Sequence, residues 1–169
     1  MLVKLIKRAI NSPFVAYAIR CVTGFLIGYF LIEKFPQHEL FWVLLSIILV
    51  ISPDEKDARK LTIERSKSNF IGSISGLLVF FLPMDDVYKI ALGILIALII
   101  CRFADLINVA RSAIVGLLIV LMEHKTDTYW APGERFIFVT LGCFIGLSVT
   151  LITSYVFNCL NKNFLTENE

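Results

Sequence analysis

The stretch ERSKSNFIGSISGLLV, residues 64–79, recurs 70 places later as ERFIFVTLGCFIGLSV, residues 134–149. Both copies fit the pattern E-R-x6-G-x3-G-L. A second match of four residues occurs at a shift of 69 places, with Arg20, Gly24, Leu26 and Ile27 over Lys89, Gly93, Leu95 and Ile96. Two matches in the same order indicate an internal repeat, and a repeat changes how each motif is interpreted.

The composition indicates a membrane protein. Of the 169 residues, 57% are hydrophobic and 18% are charged, whereas soluble proteins have about 45–50% apolar and about 25% charged residues. The net charge of +2 gives no reason to expect a nucleic-acid partner. The four cysteines stand singly, without a CxxC pair, so the sequence predicts neither a disulfide framework nor a metal site.

Six apolar runs predict six transmembrane helices, at residues 14–32, 41–51, 70–82, 87–101, 112–122 and 136–157. A crossing takes about 20 residues, so only the first and last runs are long enough unaided. An S-x-x-E capping box at Ser52 extends the third helix back to about Pro53. Residues 53–69 then form its cytosolic or interfacial amphipathic start. We therefore predict an all-α integral membrane protein with a single membrane domain over residues 1–169.

The basic residues predict the orientation. With the amino terminus inside, 12 of the 16 Lys and Arg residues lie on the inner side, and four lie outside: Lys34, Lys89, Lys125 and Arg135. Both termini are therefore predicted to be cytoplasmic. Each repeat, at about 14–82 and 87–157, holds three helices, so the second copy enters the membrane from the opposite side. This predicts an inverted-topology repeat, and its two matched short helices indicate a site between the repeats.

Glycines at matched positions predict close helix packing, because a missing side chain lets another backbone approach. These glycines are Gly24, Gly28, Gly72, Gly76, Gly93, Gly142 and Gly146. Residues seven and eleven apart return to nearly the same helix face, which puts Arg65 on the stripe of Gly72 and Gly76. In the second copy, Arg135 lies on the same helix face as Gly142 and Gly146.

Five basic residues are candidates for an anion path: Arg65, Arg135, Arg20, Lys89 and Arg111. For Arg65 and Arg135 the alternatives are a pairing with carboxylates, a role in holding the two repeats together, or a position at a helix end from which the side chain extends to lipid headgroups. Arg20 and Lys89 could instead end their helices and extend to lipid headgroups. Asp105 could form a surface ion pair with Arg102 or with Arg111. The sequence contains no GxSxG, HExxH or Gly-rich GK[ST] motif, so we expect no enzyme, no catalytic residues, no metal and no cofactor.

The stretch FWVLLSIILVISPDEKDARKLTIERSKSNFIGSISGLL, residues 41–78, resembles the membrane unit of the fusaric acid resistance and aromatic acid exporter proteins. The matching positions are Phe41, Trp42, Ser46, Pro53, Arg65, Gly72 and Gly76, and in the second half Arg111, Arg135, Gly142 and Gly146. The resemblance covers roughly residues 14–157. It implies a six-helix bacterial inner-membrane unit that exports aromatic carboxylic acids or similar organic anions. Plant malate-channel proteins look like distant relatives, so an anion-channel-like pore stays open as an alternative.

The chain departs from the family pattern in length. Family exporters commonly carry a large cytosolic domain or a second membrane half, whereas this chain ends at NKNFLTENE. We therefore expect, besides lipid, a homodimer or higher oligomer, or a separate membrane or cytosolic partner subunit. The rival interpretation is a non-transporting membrane subunit or effector, whose basic segment at residues 54–68 docks a cytosolic protein.

Overall fold

The computed structural model describes residues 13–36, 40–123 and 131–166, and these residues form six α-helices without a strand. They are α1 (Pro13–Lys34), α2 (Phe41–Val50), α3 (Glu55–Phe80), α4 (Asp86–Phe103), α5 (Ala110–Glu123) and α6 (Ala131–Thr166). A 3-10 turn at Ile107–Val109 precedes α5. The prediction of an all-helical chain with six helices is confirmed. Lys4, Lys7, Arg8 and Lys125, which entered the charge count, lie outside the described residues.

Within the described residues, two stretches are long and apolar enough to cross a membrane, Phe14–Lys34 in α1 and Gly133–Leu160 in α6. These belong to the first and last predicted helices. The ten residues of α2 rise only about 15 Å, roughly half of a bilayer core. Because α2 is apolar on all sides, it is stable only when other helices cover it.

The amino terminus of α3 is capped two residues later than the sequence predicts. The Ser52 hydroxyl accepts a bond from the Asp54 N–H at 3.4 Å, while the Asp54 carboxylate accepts the Lys56 N–H at 3.0 Å. The first helical bond runs from the Ala58 N–H to the Asp54 carbonyl. Asp54 is therefore the cap, because a carboxylate at that position accepts from the free N–H groups of the first turn.

The described helices form two compact units that do not follow chain order. The first unit contains the chain up to Thr62 together with the part from Leu141 onward, and the second contains Ile63–Thr140. Both α3 and α6 are continuous helices that contribute to each unit. The two units are thus assembled from separated parts of the sequence.

In the first unit, α2 packs against glycines of two helices. Gly24 of α1 faces the Ile47 side chain. From α6, Gly142 lies against the backbone of Val43, and Gly146 lies against the backbone of Ile47. Val43 and Ile47 are fully buried. The small residues let the α2 backbone reach α6 directly, as in close helix pairs in membranes.

In the second unit, α5 packs in the same manner. Gly93 of α4 faces the Leu117 side chain, and Gly72 of α3 lies against the backbone of Ala113 and Leu117. Gly76 of α3 contacts Val120. The buried cluster of this unit consists of Ile71, Ala97, Cys101, Ala110, Ala113 and Leu117.

The first glycine of the motif makes an equivalent contact in the two units. Gly142 meets Val43 in the first unit and Gly72 meets Ala113 in the second, and both members of the pair are related by the same shift of 70 places. Each short helix therefore packs on the Gly-x3-Gly pair that belongs to the other sequence repeat. The repeats exchange the later, glycine-bearing parts of their third helices, which the sequence pattern alone does not predict.

Candidate functional site

The five candidate cations are divided between the units. Arg20 belongs to the first unit, and the other four belong to the second. Arg135 is buried, with 5% of its surface exposed, whereas Arg65 and Lys89 are half-buried and Arg111 is exposed. A buried guanidinium in an apolar helix is costly unless polar groups surround it, so Arg135 and Arg20 mark polar interiors.

Arg20 is a buried clamp in the first unit. Its Nη1 donates to the carbonyl oxygens of Ser52 and Pro53, at 2.7 Å each. Its Nε donates to the Thr153 hydroxyl at 3.1 Å, and its Nη2 donates to the Ser154 hydroxyl at 2.5 Å. The guanidinium thereby ties the segment between α2 and α3 to the final helix.

These four bonds define what Arg20 can do. They use four of the five N–H groups of a guanidinium, so little donor capacity remains for a solute. All four acceptors are neutral, so the positive charge stays uncompensated by these bonds. The counterparts of Thr153 and Ser154, 70 places earlier, are Pro83 and Met84, which have no hydroxyl. The second unit therefore cannot reproduce this set of acceptors around Lys89.

Side-chain hydrogen bonds connect α3 to α5 and to the turn before it in the second unit. The Ser68 hydroxyl donates to the Ser112 hydroxyl at 3.1 Å and so connects α3 to α5. The Asn108 amide donates to the Glu64 carboxylate at 3.5 Å, a long and exposed contact. Glu64 and Arg65 begin the repeated motif, so this motif lies beside the start of the short helix α5.

A set of buried polar atoms in the second unit has no hydrogen-bond partner among the described residues. The atoms are Ser66 Oγ, Asn69 Nδ2, Ser73 Oγ, Ser75 Oγ and Thr140 Oγ1. Sequence reasoning missed them because it followed charges and glycines. The signal was present, since polar residues at i, i+3 and i+7 mark one face of an otherwise apolar helix.

Elsewhere in α3 and α6, hydroxyl groups donate hydrogen bonds to carbonyl oxygens of their own helix. Thr62 donates to the Ala58 carbonyl, Ser148 to the Phe144 carbonyl and Thr150 to the Gly146 carbonyl. Bonds to a carbonyl four residues back are the ordinary arrangement for such residues in apolar helices. The unpartnered hydroxyls of the second unit depart from this arrangement.

Metal chemistry has no set of ligands within the described ranges, where no group of three His, Cys, Asp or Glu side chains could hold an ion. The second unit contains hydroxyl and amide groups that can form hydrogen bonds, together with the positive charges of Arg65 and Arg135. Such groups can bind and orient a polar or anionic solute.

Comparison with known proteins agrees with these features. The family model described as fusaric acid resistance protein-like matches residues 15–149. Neither the search of curated proteins nor the search of solved structures returns a match. The matched region includes both copies of the glycine motif and both short helices. This family is associated with membrane transport rather than with enzymes. The chain is thus a membrane protein with a transport-related role and belongs to the fusaric acid resistance protein-like family.

Proposed function

We propose that the protein is a multi-pass inner-membrane permease that exports aromatic or other organic acid anions. In this proposal its six helices form two inverted three-helix repeats, with both termini in the cytoplasm. Family membership over residues 15–149 supports the transport class. The basic residues on the predicted inner side support the orientation.

The observation that carries the proposal is the paired contact of Gly142 with Val43 and of Gly72 with Ala113. Matching contacts in two units, built from parts of an internal repeat, support the inverted-repeat arrangement of this proposal. Inverted-repeat transporters bind substrate where their repeats meet, beside helices too short to cross the bilayer. The short helices α2 and α5 fit that requirement.

In this proposal, Arg65 and Arg135 attract the anion into the protein. Arg135 is buried, and Arg65 is half-buried one turn before the polar residues of α3. A positive charge in a low-dielectric interior attracts an anion far more strongly than it would in water. Arg20 serves the fold instead, since its donors are largely used. Lys89 and Arg111 stay candidates for the mouth of the path.

Flux measurement in proteoliposomes tests the proposal. Purified protein should move benzoate faster than protein-free vesicles do, and Arg65→Gln should reduce the rate while Arg102→Gln, which changes an exposed arginine, should not. Saturable, pH-coupled flux identifies a carrier, whereas unitary currents identify the anion-channel-like alternative. The absence of flux for both aromatic and dicarboxylic acids, with and without a pH gradient, would reject transport.

We further propose that the pathway needs a second copy of the chain or a separate subunit. Two of the six described helices are both long and apolar enough to cross a membrane, which leaves a single copy few helices with which to enclose a path. The molecular mass of the protein in detergent, measured by light scattering, should correspond to a dimer or larger. A monomer that still transports would contradict this part.

An exposed basic row favours the second candidate, a membrane subunit that docks an acidic cytosolic protein. Lys56, Arg59, Lys60 and Lys67 are exposed and share one face of α3. Such a row also attracts anionic lipid headgroups. Replacing Lys56, Arg59 and Lys60 by glutamine should abolish copurification of a partner if docking is the function. If transport is the function, the same variant should retain benzoate flux.

A further inference from the structure

We infer that a row of neutral side chains on α3, formed by Asn69 and Ser73 with Ser66, binds the carboxylate group of the transported acid. This inference rests on the proposed function and goes beyond it, because it assigns recognition to the variable positions of the repeated motif rather than to its arginine and glycines. Thr140 of α6 completes the row from the facing helix. All four residues belong to the second unit.

The burial of these residues is the first argument. Asn69 and Ser73 are only 6% and 7% exposed, yet Asn69 Nδ2 and Ser73 Oγ have no partner among the described residues. A buried polar group without a hydrogen bond destabilises a protein, so native structures rarely retain one without a use. Several such atoms on neighbouring turns indicate a place where another molecule supplies the acceptors.

The direction of the row is the second argument. At about 100° per residue, Ser66, Asn69 and Ser73 lie within about 60° of one another on α3. Asn69 also lies beside Gly116 of α5: a methyl group built on this glycine would be at an ordinary contact distance of 3.7 Å from Asn69 Oδ1. The row therefore runs along the side of α3 next to the short helix.

The contact between α3 and α6 is the third argument. The rings of Phe70 and Phe136 lie 5.2 Å apart, between centroids. Ser66 precedes Phe70 by four residues, and Thr140 follows Phe136 by four, so each hydroxyl shares the face of its neighbouring ring. The ring contact thus turns the faces of Ser66 and Thr140 toward each other. Arg135 is adjacent to Phe136, which brings its buried charge within one turn of this region.

The chemistry of the row favours a carboxylate. An asparagine amide offers two N–H donors, and each hydroxyl offers one more. Hydrogen bonds from neutral donors to a charged acceptor are stronger than those between neutral groups. Neutral donors also hold an anion without an ion pair, so release on the other side of the membrane is easier than from a row of arginines.

Ligand-dependent thermal unfolding in detergent tests this inference. Benzoate should raise the unfolding temperature of the wild-type protein, whereas benzamide, which is similar in shape but uncharged, should not. Asn69→Leu and Ser73→Ala should each weaken benzoate binding by about tenfold or more, as expected for lost bonds to a charged group. Ser148→Ala, which removes an exposed hydroxyl bonded within its own helix, should bind benzoate like the wild type.

The stability of the unliganded variants separates binding from a structural role. Replacing unpartnered polar groups by apolar groups of similar size should leave the unfolding temperature unchanged or raise it. A lowered unfolding temperature with undiminished benzoate binding in both variants overturns the inference. A wild-type protein that benzoate does not stabilise overturns it as well.

Benzoate flux distinguishes this inference from the transport proposal. If Asn69→Leu transports benzoate at the wild-type rate, the row does not bind the carboxylate, and the transport proposal stands. If the wild-type protein shows no benzoate flux but binds benzoate in a way that depends on Asn69, the row is a binding site and the transport proposal is wrong. Flux that falls together with binding in Asn69→Leu and Ser73→Ala, but not in Ser148→Ala, supports both.

Discussion

Gly142 lies so close to Val43 that a methyl group built on the glycine would be 2.5 Å from the valine carbonyl oxygen. The corresponding distance from Gly72 to the Ala113 carbonyl oxygen is 2.6 Å. Two backbone contacts at equivalent places in the repeat show that the glycines determine how near the short helices come. Neither contact leaves room for any side chain.

Gly142→Ala should lower the free energy of unfolding by about 1–3 kcal/mol, because the added methyl group forces the α2 and α6 backbones apart. Gly133→Ala is the matched control in the same helix, since nothing lies within 4 Å of its added methyl group. There the change should be neutral or stabilising by up to about 1 kcal/mol, the helix preference of alanine over glycine. Thermal unfolding of both variants in one detergent measures the difference. Equal stabilities would contradict the close packing of α2 on α6.

Arg20→Lys should destabilise the first unit by about 2–4 kcal/mol, although the charge is retained. A lysine ammonium cannot reproduce the fork that bonds two carbonyls and two hydroxyls at once, so buried acceptors lose their donors. Arg102→Lys, which changes an exposed arginine, should alter stability by less than about 0.5 kcal/mol. Denaturation of both variants checks the prediction. A stable Arg20→Lys protein with reduced anion flux would instead support a direct role of Arg20 in transport.

Asp105 ends α4 in a left-handed conformation, with φ of 54°. The Leu106 N–H donates to the Cys101 carbonyl at 2.8 Å and the Asp105 N–H to the Arg102 carbonyl at 3.4 Å, which is a Schellman motif. Asp105→Gly should therefore keep or raise stability by up to about 1 kcal/mol, because glycine adopts this conformation without strain. Asp105→Val should lower stability by about 1–2 kcal/mol. The order Gly, Asp, Val in unfolding temperature tests the motif, and a valine variant as stable as the glycine variant would contradict it.

The sequence predicts the helices well because hydrophobic runs and prolines mark their ends. It also identifies the packing glycines, since a repeated Gly-x3-Gly on one face has a direct physical meaning. It cannot say which helix each glycine meets, because periodicity defines a face and not its neighbour. The partners of Gly72 and Gly142 therefore emerge only from the structure.

The polar contacts were harder to predict for the same reason. Arg20 bonds with Thr153 and Ser154, which lie 133 and 134 residues away in sequence. Without a known topology, a lone arginine in an apolar run resembles one that extends to the membrane surface. Asn69 and Ser73 are uncharged, and the sequence alone does not reveal that they are buried.

Because the repeats exchange the later parts of their third helices, the later part of α3 packs on α5. The Ser68 and Ser112 hydroxyl oxygens are 3.1 Å apart across this contact. Two cysteines at these positions can therefore approach to disulfide distance. The background for the measurement is a protein whose native cysteines are replaced by alanine, with a protease site inserted after Pro83.

The decisive measurement is oxidative cross-linking of Ser68→Cys/Ser112→Cys in native membranes, followed by cleavage at that site. The two fragments should stay joined until a reductant is added. Lys67→Cys/Ser112→Cys, whose first position is exposed and about 100° away on the helix, should cross-link much more slowly. Cross-linking of the Ser68 pair that is no faster than that of the Lys67 pair would contradict the exchange of helices.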